Sequence, residues 1–454
     1  MEARARTSAR TARESFELTV ISMLKSKPET PIAAQLPCRR RTEDGLLLAC
    51  SSRCMSPVAV ARARECFETE IEWNYVVSQA QYHAVLPLVN QNFQLHFSGL
   101  VPKRVLLFLN EASRHYQRRN LAFTGELLRI LSLFEKLAIE AIPFKGPSLA
   151  IVAYGNISLR MFADLDILIH QEDLTRARDA LLADGYIAEF TLTSSQECAY
   201  RKTECALQLR HPNHDAVVEL HWLLTERYLS INFPVEALWR RSCTAKIGSK
   251  TVKAFALEDL FLYLCVHGSK HHWERLEWLC CVAEVAAANP AMDWRLIAER
   301  ARAWGIERML HLALLAAHKL LAAPLPDPLR SGAEKDIVAA NLAEQAATAL
   351  FSGKSREADQ RSKGGDWYIR LLRMRERWPD KFRILAYSSV RVPHPNSQEI
   401  FRLPSQLAFL YYVLRPARLL LATVWAGFRH ITPRGKRAPH MDEGKLTEET
   451  FTTP

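Results

Sequence analysis

Apolar residues recur at helical spacing from Leu106 to Glu140 and again from Trp294 to Leu321, where Gly305 divides the run into a helix pair. Between these stretches the period changes. Short apolar runs at Ile142–Phe144, within Arg160–His170, near Tyr186–Phe190, at Ala206–Arg210 and at Ala216–Trp222 predict strands. Leu174, Ala177, Leu181 and Leu182 predict a helix over Gln171–Gly185, with Glu172 and Asp173 in its first turn and Gly185 at its end. Strands and short helices set among longer helices predict an α+β protein, divided into an N-terminal helical region over 66–140, a core over 141–250 and a helical domain over 251–350. A polar run over 351–365 reads as a linker, 366–430 as a further helical segment and 431–454 as a polar tail.

The core carries the candidate chemistry. Asp164 and Asp166 lie two apart in R-M-F-A-D-L-D-I-L-I-H, so on a strand both project from one face while Leu165 and Ile167 point into a core. Two such carboxylates repel each other and resist burial unless a cation joins them. Mg²⁺ takes hard oxygen ligands, commonly one or two carboxylates plus substrate phosphates. By itself D-x-D is equally consistent with a solvated strand end, so its neighbours matter.

Upstream, F-K-G-P-S-L-A-I-V-A-Y-G predicts a strand end, a turn at Gly146, and a short helix from Ser148 to Tyr154 ended by Gly155, with Pro147 in its first turn. A helix N-terminus offers N–H groups and a positive dipole end to phosphate oxygens, and Lys145 adds charge. Downstream, alternation in A-V-V-E-L-H-W puts Val217, Glu219 and His221 on one face, and a glutamate within an apolar run calls for a partner.

Together, F-K-G-P-S-L-A, L-R-M-F-A-D-L-D-I-L-I and V-E-L-H-W resemble the nucleotidyltransferase core of the DNA polymerase beta superfamily, a mixed sheet with short helices. Within it the chain is similar to a bacterial family of uncharacterised nucleotidyltransferases, from about Glu65 to Leu329, with weaker echoes over Arg402–Leu420. The resemblance implies transfer of a nucleoside monophosphate from an NTP, ATP among the candidates, with release of pyrophosphate. It implies Asp164, Asp166 and Glu219 as catalytic residues and ligands of two Mg²⁺ ions, with Mn²⁺ as the alternative. Lys145, Gly146, Ser148 and Arg160 would contact the nucleotide. The acceptor (a sugar phosphate, another small molecule, a peptide or a protein) is not named by any motif. Two departures from the family pattern stand out: Pro147 falls between the Gly and Ser, and W-L-C-C-V-A-E, with Cys280 and Cys281, stands in the region where related chains carry an aspartate, which this chain has either lost or replaced by Glu284.

In H-G-S-K-H-H-W, His267, Lys270 and His271 share one helix face, and Lys270 and His271 are further candidates for the triphosphate. Trp273, Leu276 and Leu279 read as core. The 454 residues carry a formal charge of +11, which favours anionic partners, yet the arginines are dispersed and no nucleic-acid motif appears. The 10 cysteines follow no ligand spacing, which points to small hydrophobes and a cytoplasmic setting. Residues 1–65 begin Arg- and Ala-rich without a continuous apolar run and read as a disordered extension. The apolar run over 406–428 has Arg415, Pro416 and Arg418 at its centre, which favours helices packed on the protein or contact with the inner membrane surface over a span. A non-catalytic descendant that binds a nucleotide or partner is the rival reading.

Overall fold

The computed structural model describes residues 41–190, 194–213, 216–231, 233–352 and 365–390. The chain divides into two compact units, Met1–Ile384 and Leu385–Pro454, and the sheet and the candidate chemistry lie in the first.

Ordered helix begins earlier than the composition of residues 1–65 suggests. Helices α1 (Thr42–Ala49) and α2 (Pro57–Cys66) precede α3 (Trp73–Tyr82) and α4 (Leu86–His96). Their short apolar runs are too brief to read as helices alone, but Leu46, Leu47 and Ala63 are fully buried against the main core. Tertiary burial outweighs weak local signal there. Helix α5 (Lys103–Lys136) follows, and the expectation over Leu106–Glu140 meets it closely.

Then come β1 (Ala141–Pro143), α6 (Gly146–Tyr154), β2 (Asp164–Ile169), α7 (Leu174–Ala183), β3 (Ile187–Ala188), α8 (Ser194–Thr203), β4 (Ala206–Arg210) and β5 (Val217–His221). The strands form one mixed sheet in the order β1-β2-β5-β4-β3, with β2 and β5 parallel and the other pairs antiparallel. The strand carrying the aspartates starts at Asp164, so Arg160 lies on the connection before it rather than on the strand. After the sheet come α9 (Val235–Arg241), a hairpin of β6 (Cys243–Ile247) and β7 (Lys250–Ala254), and helices α10 (Leu257–Lys270), α11 (Leu276–Ala288), α12 (Trp294–Trp304), α13 (Glu307–Leu321), α14 (Asp327–Lys335), α15 (Ile337–Ala349), α16 (Gly365–Met374) and α17 (Trp378–Val390). The break at Gly305 falls between α12 and α13, where φ is +65°.

Strand alternation sends the two sheet faces into different cores. Leu165, Ile167, Val218, Leu220 and Trp222 pack with Phe123, Leu127 and Phe134 of α5 and with Leu174 and Leu181 of α7. Leu168, Ile142 and Phe144 join the larger core built from α1 to α4 and from α10 to α15. The face that carries Asp164 and Asp166 therefore looks toward the helical half of the molecule. Trp273, Leu276 and Leu279 are core residues, at 1%, 0% and 0% exposure. Among the described residues no helix is long and apolar enough to cross a membrane, and the 406–428 segment lies outside them.

His83 ties the N-terminal helices to α11. Its Nδ1 accepts the Leu276 N–H at 3.3 Å and its carbonyl accepts the Glu277 N–H at 3.2 Å. Burial, then the Arg275 charge, pulls the imidazole down to about 4 from 6.5. A histidine held neutral in the fold binds fewer protons than its unfolded form, so stability is intact above pH 6.5 and falls as pH drops toward 4. The loss is expected to approach about 3 kcal/mol, read as a urea midpoint falling across that window. His83→Gln is expected to flatten that pH dependence.

Candidate functional site

Register builds the site. Asp166 on β2 is directly paired with Glu219 on parallel β5, and Leu168 with His221, so period-two alternation brings Asp164, Asp166, Glu219 and His221 onto one face. The β1–β2 pairing continues through Phe144, whose N–H donates to the Asp166 carbonyl at 3.2 Å, and this delivers Lys145 beside the aspartates. The Lys145 ammonium lies 2.6 Å from Asp166 Oδ1. His221 Nε2 lies 3.3 Å from the same oxygen and 3.2 Å from Glu219 Oε2. Phe144 meets the His221 ring edge-on at 5.1 Å, and Phe255 and Tyr263 pack on Phe144 in turn.

The electrostatics divide the two aspartates. Burial alone would push the Asp166 carboxyl up; Lys145 and His221 outweigh it and hold it well below the usual carboxylate range. The Asp166 charge, with burial second, pushes Asp164 up, to about 6. Lys145 and His221 are both held protonated by the carboxylates against the opposing effect of burial. Three acidic side chains thus share this face with one ammonium and one imidazolium, and Asp166 Oδ2 is buried without a hydrogen bond. A carboxylate oxygen so placed suits a cation, and the donor set of carboxylates plus imidazole fits a divalent metal.

Gly146 stands at φ +51°, and a Cβ there would lie 3.2 Å from the Asp164 carbonyl oxygen. Both constraints favour glycine. Gly146→Ala is expected to cost about 1–2 kcal/mol from the left-handed backbone alone, read as a lowered denaturant midpoint, and to pull Lys145 off Asp166. Helix α6 then offers fewer backbone donors than a bare N-terminus. Pro147 has no N–H, and Ser148 and Leu149 donate to the Lys145 carbonyl at 3.1 and 3.4 Å. Side chains add donors: Ser148 Oγ is buried without a partner, and so are Arg160 Nε and Nη1.

Arg160 is 8% exposed, on the connection into β2, where Asn120 Nδ2 donates to its carbonyl at 2.8 Å. Burial opposes its charge, yet the guanidinium stays protonated, with Cys281 and Glu277 beside it. Cys281 is buried within 3.8 Å of the Tyr154 hydroxyl. Glu284, the expected substitute, instead accepts the Arg53 N–H at 2.7 Å. The acid that α11 sends toward the site is Glu277. Burial raises its carboxyl, Arg160 opposes this, and Asp164 is close enough to raise it further.

Lys270 and His271 sit at the C-terminal end of α10. Lys270 Nζ is 2.6 Å from Glu226 Oε1, and the His271 ring lies 5.0 Å from that of Trp278. The Lys270 charge also acts on the buried Tyr263 hydroxyl, as does that of Lys145. Two residues of the site, His221 and Glu277, carry no role that the sequence assigns. The period-two step from Glu219 to His221 is the available signal for the first; nothing local singles out the second.

A model of a family described as an uncharacterised nucleotidyltransferase matches residues 69–322. No curated protein and no solved structure matches.

Proposed function

The chain belongs to this nucleotidyltransferase family, and from that premise we propose that it moves a nucleoside monophosphate from an NTP to an acceptor and releases pyrophosphate. The observation that carries the reading is the Asp166–Glu219 pair, in register across two parallel strands, with the Asp166 Oδ2 oxygen buried and without a hydrogen-bond partner. Asp164, Asp166 and Glu219 would hold Mg²⁺, in the two-ion arrangement that neutralises triphosphate charge and lowers the pKa of an attacking hydroxyl.

The remaining work falls to positioning, because phosphoryl transfer needs little covalent help from protein. Ser148 Oγ and the two free nitrogens of Arg160 supply donors for anionic oxygens. Lys145 keeps Asp166 ionised and adds a fixed positive charge beside the bound phosphates. Lys270 and His271 form the more distant rim. Pro147 removes one donor, so the chain leans on these side chains more than a Gly-Ser turn would.

The test is pyrophosphate release by the purified full chain with Mg²⁺, each of the four NTPs and pooled metabolite extracts. Release that depends on both metal and extract supports transfer. Metal-dependent NTP binding with no release under any condition supports instead the non-catalytic relative, a binding module on the same fold.

A further inference from the structure

We propose that His221 is a metal ligand, so that Asp166, Glu219 and His221 form an oxygen–oxygen–nitrogen site that prefers Mn²⁺ to Mg²⁺. The proposal rests on the metal-dependent reading above and names the ion its inner position takes.

Three observations converge. One ligand atom from each residue lies within 4.8 Å of the other two. The imidazole is fixed rather than free to swing: His221 is 5% exposed, the Phe144 ring stands against it at 5.1 Å, and Nδ1 lies 3.3 Å from the Leu223 carbonyl oxygen. With Nδ1–H donated to that carbonyl, Nε2 faces two carboxylate oxygens at 3.3 and 3.2 Å, and a metal ion entering there displaces the Nε2 proton to solvent and takes the nitrogen as a ligand. Finally, Asp166 Oδ2 is buried with no hydrogen bond, so a ligand atom is available even while Oδ1 engages Lys145.

The competing role is a spacer, an imidazolium that screens Asp166 from Glu219. Asp166 already has a cation in Lys145 at 2.6 Å, so a second permanent one is not needed to keep it ionised. Ligand chemistry then sets the preference. Mg²⁺ keeps to oxygen donors and retains its waters, whereas imidazole suits the transition ions. A site of carboxylates alone would not separate the two metals in this way.

The experiment titrates the full chain with Mn²⁺ alone, without nucleotide, and reads bound metal by electron paramagnetic resonance and its coupling to nitrogen by pulsed methods. The wild type is expected to show a directly coordinated ¹⁴N, with Mg²⁺ competing only at tenfold or greater excess. His221→Gln is expected to lose the nitrogen coupling and bind Mn²⁺ about tenfold or more weakly, with an unchanged circular dichroism spectrum. Bound Mn²⁺ without nitrogen coupling in the wild type overturns the proposal, as does undiminished affinity in His221→Gln or no Mn²⁺ binding at all. If the variant does not fold, the wild-type nitrogen signal decides alone. Pyrophosphate release with Mg²⁺ is scored separately. Release without nitrogen coupling removes only the role of His221, and nitrogen coupling without release removes only the transfer reading.

Discussion

Asp166→Asn is expected to reduce metal-dependent pyrophosphate release by about a thousandfold, equivalent to about 4 kcal/mol of lost transition-state stabilisation. The substitution keeps the side chain's volume and removes a charge that sits against Lys145, His221 and, across the register, Glu219. A cation then meets Asp164 and Glu219 without the buried oxygens that join them. The fold is expected to persist at reduced stability, because the change relieves the repulsion that pushes up the Asp164 carboxyl but leaves the buried Lys145 ammonium without its 2.6 Å partner. Circular dichroism and the release assay, run on one preparation, separate the two effects. Activity within tenfold of the wild type would mean that Asp166 does not hold the reacting centre.

Gly268→Ala is expected to be the most damaging single-methyl change to stability. Gly268 lies inside α10, and a Cβ there would lie 2.3 Å from the nearest ring carbon of Trp273, which is 1% exposed. Trp273 cannot move away cheaply. Its backbone N–H donates to the Gly268 carbonyl at 2.9 Å, and both it and His272 hold left-handed backbone, at φ 58° and 51°. Two consecutive residues in that region are strained and persist only because their surroundings fix them. Overpacking of this kind costs about 3 kcal/mol, expected as a melting temperature lower by several degrees. The turn also carries Lys270 and His271, so nucleotide affinity is expected to fall with stability. A variant as stable as the wild type would show that the turn is free to open.

Much of the candidate site was legible because strand alternation is a short-range rule. D-x-D and V-E-L-H-W each fix a face locally, and the pairing of Asp166 with Glu219 follows once β2 and β5 are neighbours. The break at Gly305 was legible for the same reason, since glycine ends a periodic run wherever it occurs at a helix end. What stayed hidden depends on distant partners. Helix α1 exists because Leu46 and Leu47 find a core, not because T-E-D-G-L-L-L-A favours a helix. The β6–β7 hairpin is short and lysine-bearing, with Ile247, Val252 and Ala254 its buried residues, so its alternation carries little apolar signal. Glu277 reaches Arg160 and Asp164 only through the packing of α11 on α6, which no local spacing encodes. Residue types gave a false lead at Glu284, whose carboxylate serves the Arg53 backbone instead.

Diffraction from crystals of the full chain grown with Mn²⁺ and a non-hydrolysable NTP analogue, with the metal located by its anomalous signal, bears most directly on whether these acids form a metal-dependent nucleotide site. The expected result is an anomalous peak bonded to Asp166 and Glu219, with the triphosphate lying against the Lys145–Ser148 turn. A peak elsewhere, or a nucleotide bound away from that turn while Lys145 still covers Asp166, would contradict it.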